Sequence, residues 1–300
     1  MDVPLIKVVG GYPFMFRFSF LLACAMTLTA CGGSSSNSGD SSDSDSDRSV
    51  ELTPVSIQFD AVVGSEALVC DTDYDALGAA SSSTQIKDFR MFVHSLELVS
   101  SDGDVVPVTL SESDWQAQGV ALLDFENATG ECTGTAETNS LMLGTIPESA
   151  ASYTGIRFVV GVPAELNHLE QTSVSPFNVS GMNWGWTNGY KFIRFDVVNW
   201  NIHIGATGCA ANGSGVIECS NANRPAIELD NFDYTSQQVQ IDFAALVQGS
   251  DISTDLGGAS GCMSGGTDPE CNEIFTQLGL NLASGDNDAS LVQAVFSVAD

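Results

Sequence analysis

The stretch FRMFVHSLELVS, residues 89–100, decides the fold class. Apolar side chains recur at nearly every second position and β-branched and aromatic types are common, the mark of an extended chain whose side chains alternate between two faces. The same period returns in VSIQFDAVVG (55–64), IRFVVGVP (156–163), KFIRFDVV (191–198), AIELDNFDY (226–234) and QVQIDFAALV (238–247). Breaks such as Ser101-Asp102-Gly103-Asp104 separate the runs as turns separate strands. No stretch of twelve residues carries a helical stripe. The pattern predicts an all-β domain, an antiparallel β-sandwich stapled by disulfides, with short helical turns near ESDWQAQ (112–118) and EIFTQLGL (273–280).

Before the first strand the composition changes twice. Arg17 precedes the apolar run FSFLLACAMTLTA, which ends at Leu28-Thr29-Ala30-Cys31 and passes at once into GGSSSNSG. A positive residue, a short apolar run and Leu-x-Ala-Cys describe a bacterial lipoprotein signal over residues 1–30, cleaved before an acylated Cys31. The run is too short to span a bilayer. The expected attachment is therefore to a membrane through lipid alone, each buried methylene contributing about 0.8 kcal/mol. Gly32, rather than Asp, points by analogy to the outer membrane. Residues 31–50, with SSSNSGDSSDSDSDR at their centre, hold nothing that offsets ordering entropy and read as an acidic tether; calcium binding by its Asp-Ser repeats is the weaker reading. The folded domain is expected over residues 51–300.

Without residues 1–30 the chain keeps 7 basic against 37 acidic residues, a net charge of −30. Such acidity excludes nucleic acid as a partner and identifies no substrate. Six cysteines remain in the domain: Cys70, Cys132, Cys209, Cys219, Cys262 and Cys271. An even number in an exported chain reads as three disulfides, with fifteen possible pairings. Cys209 with Cys219 and Cys262 with Cys271 enclose short polar loops, which favours those pairs and leaves Cys70 with Cys132. A thiolate metal site needs close spacing of the C-x-x-C type, which is absent.

The chain has three histidines, His94, His168 and His203. In its strand His94 shares parity with Phe92, Leu96 and Leu98 and is expected to point with them into the core. His168 follows the strand IRFVVG in a loop, and His203 follows KFIRFDVV after a bend. Three imidazoles suit copper or zinc, and a thioether from Met182 or Met91 tilts the choice to Cu(I); each histidine alone is as well explained by a structural hydrogen bond. MNWGWTNGYKF (182–192) reads as a bent loop, because Gly185 and Asn188-Gly189 interrupt it, and its two tryptophans either plug a core or line a site. No G-x-S-x-G, H-E-x-x-H or phosphate-binding glycine loop is present, and carboxylates are too numerous to nominate a glycosidase pair.

Taken together, QIKDFRMFVHSLEL, VALLDFENATGEC, IRFVVGVPAELNH, MNWGWTNGYKFIRFD and IHIGATGC resemble, in order over residues 55–300, the MbnP-like family, the four-cysteine half of the so-called metallo-mystery pair. The resemblance implies a periplasmic or surface copper-binding protein without catalytic activity. Its partner would be a di-haem protein related to cytochrome c peroxidases, which oxidises a tryptophan to kynurenine. On this resemblance His94, His168 and His203 are the metal ligands and Trp184 and Trp186 the candidates for modification; Met182 stays a possible soft ligand on its thioether chemistry alone. Six cysteines in place of four mark a departure from the family pattern. A surface adhesion lipoprotein and a secreted hydrolase are the alternatives from other classes.

Overall fold

A computed structural model describes residues 51–149, 151–169 and 173–300. The expected signal, Cys31 and the tether lie outside the described residues. The domain is all-β, with two larger sheets and one hairpin. The first sheet runs Phe296–Ala299, Gln238–Asp242, Leu52–Val63, Leu141–Pro147, Thr109–Leu110. The second runs Ala226–Asp230, Tyr153–Val160, Ser82–Ser100, Ile193–Val197, Trp200–Ile204, Gly261–Cys262. Thr207–Ala211 and Ile217–Asn221 form the separate hairpin. Pairing is antiparallel except between Leu52–Val63 and Gln238–Asp242 and between Trp200–Ile204 and Gly261–Cys262, where it is parallel.

The strand Ser82–Ser100, 19 residues long, organises the second sheet. Along one part it pairs with Ile193–Val197 and along another with Tyr153–Val160 and Val120–Asp124. The two sheets meet through aromatic contacts: Phe59 of the first lies edge-on to Phe158 of the second, with centroids 5.6 Å apart. Within this strand the segment Asp88-Phe89-Arg90 pairs with Arg194-Phe195-Asp196 of its neighbour, so that Phe89 lies opposite Phe195. Their rings stack at 3.7 Å inside the main core. Such a pair contributes about 1 kcal/mol beyond its buried area.

From Asp88 to His94 every residue is buried, not every second one. The outer face is covered too, by a second apolar cluster that includes Phe92, Leu122, Val162, Phe177, Tyr190 and Phe192. This changes the expected direction of His94. Ser95 adopts a left-handed backbone, φ 52°, and is exposed. Between the pairs Glu97↔Arg157 and His94↔Val159 the long strand advances three residues and its neighbour two. This is a β-bulge, and one extra residue exchanges the two faces of a strand. Leu96 and Leu98 therefore enter the main core with Phe89, Met91 and Val93, whereas His94 stays on the outer face with Phe92.

All three disulfides form with the expected pairing: Cys70–Cys132, Cys209–Cys219 and Cys262–Cys271. Cys271–Gln277 is helical, as EIFTQLGL suggested. The run QVQIDFAALV, expected as one strand, ends as a strand at Asp242 and becomes the helix Phe243–Val247. The cause is capping, since the Asp242 side chain accepts from the Ala244 amide. No helix forms over residues 112–118, where Gln116–Ala117 pairs in a sheet instead.

Candidate metal centre

The outer face of the second sheet carries the charged and imidazole side chains. Asp88 is fully buried and accepts from Arg90 Nε at 2.8 Å and, as an ion pair, faces Arg194 Nη1 at 3.0 Å. Arg194 Nε donates to Asp196 at 2.9 Å. His203, opposite Arg194 in the next strand, places Nε2 2.9 Å from Asp196. Burial pushes the Asp88 carboxyl above the usual carboxylate range despite its two guanidiniums. For Asp196 burial acts the same way, but the hydrogen bond from His203 and the charge of Arg194 prevail and hold it low. Further along, Asp124 is driven up to about 8 by burial and by Glu126 beside it.

This lattice anchors the tryptophan loop. Arg90 Nη1 donates to the Ser180 carbonyl at 3.1 Å. From there the chain folds into a tight turn: Trp184 donates to the Gly189 carbonyl, and the Asn188 and Gly189 amides donate to the Gly185 carbonyl. Gly185 and Gly189 take φ of 103° and 74°, the left-handed values that the glycine punctuation anticipated. The turn separates the two indoles. Trp184 is half-buried, its ring 6.3 Å from that of His203, with Lys191 Nζ 5.9 Å from its centroid. Trp186 is 57% exposed. A cavity of about 450 Å³ lined by Trp184, Asn188, Ala206, Thr207, Gly208 and Met263 opens beside Trp184. Met182 is fully buried in the second cluster, so its thioether packs against apolar side chains; Met91 does the same in the main core.

The three histidines occupy different surroundings. His94 is buried and places Nδ1 2.8 Å from Ser95 Oγ, the hydroxyl presented by the bulge. Its Nε2 is buried without a hydrogen-bond partner. Burial, and then the charge of Arg224, lowers its pKa to about 4, so the ring is neutral at pH 7. Glu165, in the loop that leads to His168, acts on it in the opposite sense.

His168 is half-buried, and its Nδ1 lies 3.0 Å from the Trp186 carbonyl. A carbonyl only accepts, so Nδ1 carries the proton and Nε2 the lone pair. Asn167 Nδ2 donates to Nε2 at 3.0 Å, and Cys219 Sγ lies 3.2 Å from it. Among the described residues the grouped metal-type ligand atoms within 4.8 Å of one another belong to His168, Cys209 and Cys219; the three histidines do not form such a group. His203 is committed to Asp196 and packs against Trp184.

Sequence reading missed the charged lattice and the approach of Cys219 to His168. The first had a signal: Asp88 and Arg90, like Arg194 and Asp196, stand two apart on the face opposite the core phenylalanines. The second had none, because 51 residues separate its members.

Comparison with known proteins gives this arrangement a lineage. The family model described as MbnP matches residues 52–264. The chain belongs to the MbnP family. The matched region contains all three histidines, both loop tryptophans and five of the six domain cysteines, with Cys271 beyond its end. The solved structure of MbnP from Methylosinus trichosporium is 33% identical and superposes with a TM-score of 0.74, the match covering 83% of this chain and 99% of that one. No curated protein sequence matches the chain. The β-architecture is thus shared over almost the full length of that solved structure.

Proposed function

We propose that this MbnP family member is a copper-binding protein of the cell envelope that performs no catalysis itself. The observation that carries the reading is His94: a buried, neutral imidazole whose Nε2 has no partner. A buried polar nitrogen left unpaired costs about 1–3 kcal/mol, a penalty that coordination of a metal would relieve. Its other nitrogen faces Ser95 Oγ, an outer hydrogen bond of the kind that orients ligating histidines. His168 is oriented by a comparable outer hydrogen bond, Nδ1–H on the Trp186 carbonyl, but its Nε2 lone pair accepts from Asn167 Nδ2, which would have to yield to a metal.

The donor set fits the ion. Neutral imidazole serves copper in either oxidation state, and bound copper would supply a soft, redox-active centre. His94 and His168 are the proposed ligand pair. His203, held by Asp196 beneath Trp184, is assigned to support of the tryptophan loop. Trp186 is the tryptophan proposed for conversion to kynurenine by a di-haem partner, because its exposed indole is open to an external oxidant and its carbonyl is already tied to His168. Anchoring through acylated Cys31 in the outer membrane completes the proposal. Among the described residues no helix is long and apolar enough to cross a membrane.

The test is copper analysis together with peptide mass spectrometry of protein from its native host. His94→Ala and His168→Ala should each abolish stoichiometric copper, while His203→Ala should retain it. Trp186, not Trp184, should have lost one ring carbon and gained one oxygen. Full copper retention by both His94→Ala and His168→Ala would refute the ligand assignment. Unmodified Trp186 in copper-loaded native protein would remove kynurenine from the mechanism.

A further inference from the structure

The contact between His168 and the Cys209–Cys219 disulfide belongs to none of the roles above. The two cysteines lie directly opposite each other in the separate hairpin Thr207–Ala211 and Ile217–Asn221. An isolated two-stranded hairpin is marginally stable; this one also packs Cys209 and Cys219 against the second apolar cluster. Both residues are half-buried, in contrast to Cys262 and Cys271, which are fully buried, and to Cys70 and Cys132, which are buried. Exposed disulfides are the ones that thiols reduce first. His168 points its lone-pair nitrogen, Nε2, at Cys219 Sγ from 3.2 Å.

We infer that Cys209, Cys219 and His168 form a redox-gated site for a soft, thiophilic cation, closed as the disulfide and opened by thiol exchange. In the opening step two thiol groups of an external dithiol become a disulfide. Their two electrons and two protons pass to Cys209 and Cys219 Sγ as the S–S bond breaks, leaving two thiols. Binding of the ion then displaces both thiol protons and yields two thiolates and one imidazole around it. Thiolate and imidazole bonds of about 2.3 and 2.0 Å put neighbouring donor atoms roughly 3.7 Å apart at trigonal angles. The three donors already lie within 4.8 Å of one another, so the opening requires separation of the freed sulfurs and release of Nε2 by its present donor. Thiolates select soft ions such as Cu(I), or Zn(II) and its heavier congener Cd(II), over hard ones. Asn167 Nδ2, which now donates to Nε2, must turn away when the ion enters. The site shares His168 with the proposed copper centre but requires neither His94 nor kynurenine.

Limited reduction of the full-length protein, followed by thiol mapping and Cd(II) titration under nitrogen, tests the inference. The first two thiols to appear should map to Cys209 and Cys219. The reduced protein should bind one Cd(II) with a thiolate-to-metal ultraviolet absorption, and the oxidised protein should show none. His168→Gln leaves the hairpin covalently intact before reduction and should weaken Cd(II) binding at least tenfold. His94→Ala should leave Cd(II) binding unchanged even though it removes copper from the oxidised protein, which separates this site from the one above. The inference is overturned if another disulfide opens first, if no thiolate absorption appears, or if His168→Gln binds Cd(II) as the parent does. Loss of native circular dichroism on this limited reduction also overturns it, because the hairpin then fails to hold the thiols together.

Discussion

Asp88→Ala probes the charged lattice beneath the tryptophan loop. The Asp88 carboxylate is fully buried and neutralises Arg90, itself 2% exposed, while also pairing with Arg194. Removing it leaves the Arg90 guanidinium hydrogen-bonded to the Ser180 carbonyl, with Asp124 and Glu126 as its further countercharges. Taking away one member of a buried pair typically costs about 3–5 kcal/mol, because the remaining charge stays desolvated. Against a total stability of about 5–15 kcal/mol, that is a large loss. The double change Asp88→Leu with Arg90→Met removes both charges and should recover most of it, since apolar replacement of a whole buried pair is often neutral. Urea unfolding of the disulfide-intact protein, followed by both circular dichroism and tryptophan fluorescence, measures the three states. Because Arg90 also holds Ser180, the single variant should change the fluorescence of the folded state before unfolding begins. A single variant within 1 kcal/mol of the parent, or a double variant no better than the single one, would refute the reasoning.

Asp124 supplies a pH test. Its folded pKa, about 8, lies above the unfolded value near 3.8, so the folded chain retains a proton that the unfolded chain releases. The stability this proton confers is present below pH 4 and is lost as pH rises through 8, on the order of 5 kcal/mol over the window. Asp124→Asn should flatten that slope relative to the parent in unfolding titrations, and an unchanged slope would contradict the assignment. Removal of Cys70–Cys132, which spans 62 residues, should destabilise by about 4 kcal/mol, against about 2.7 kcal/mol for Cys209–Cys219, which spans 10; paired Ser variants compared by thermal unfolding decide the order. Gly205→Ala brings a Cβ 2.5 Å from Trp184 Cζ3 and 2.6 Å from the Tyr190 carbonyl, so it should cost about 1–3 kcal/mol and shift the indole emission. Unaltered emission would show that Trp184 does not rest on Gly205.

Six of the strands followed from the sequence, because a period of two is a local property, and so did the disulfides, two from short loops between cysteines and Cys70–Cys132 by elimination; strands such as Val120–Asp124 and Leu141–Pro147 and the hairpin Thr207–Ala211 with Ile217–Asn221 did not. The family was legible as well, since its motifs are short and contiguous: the LNH that ends at His168, the W-x-W of Trp184 and Trp186, and the H-x-G-x-T-G-C that runs from His203 to Cys209. What the tertiary structure alone decided depends on residues that the chain brings together from afar or on single backbone choices. One residue, Ser95 at φ 52°, reversed the expected face of His94, because a bulge exchanges inside and outside for everything beyond it. Burial of both faces of Asp88 to His94 required a second apolar cluster whose members come from five separate segments, so alternation seen along one strand could not reveal it. The loop at Gly185 then set one indole inward on His203 and the other into solvent. The nearness of His168 to Cys219 is likewise a product of folding, for no local propensity links residues 51 positions apart; only the packing of the hairpin against the second cluster places sulfur beside nitrogen.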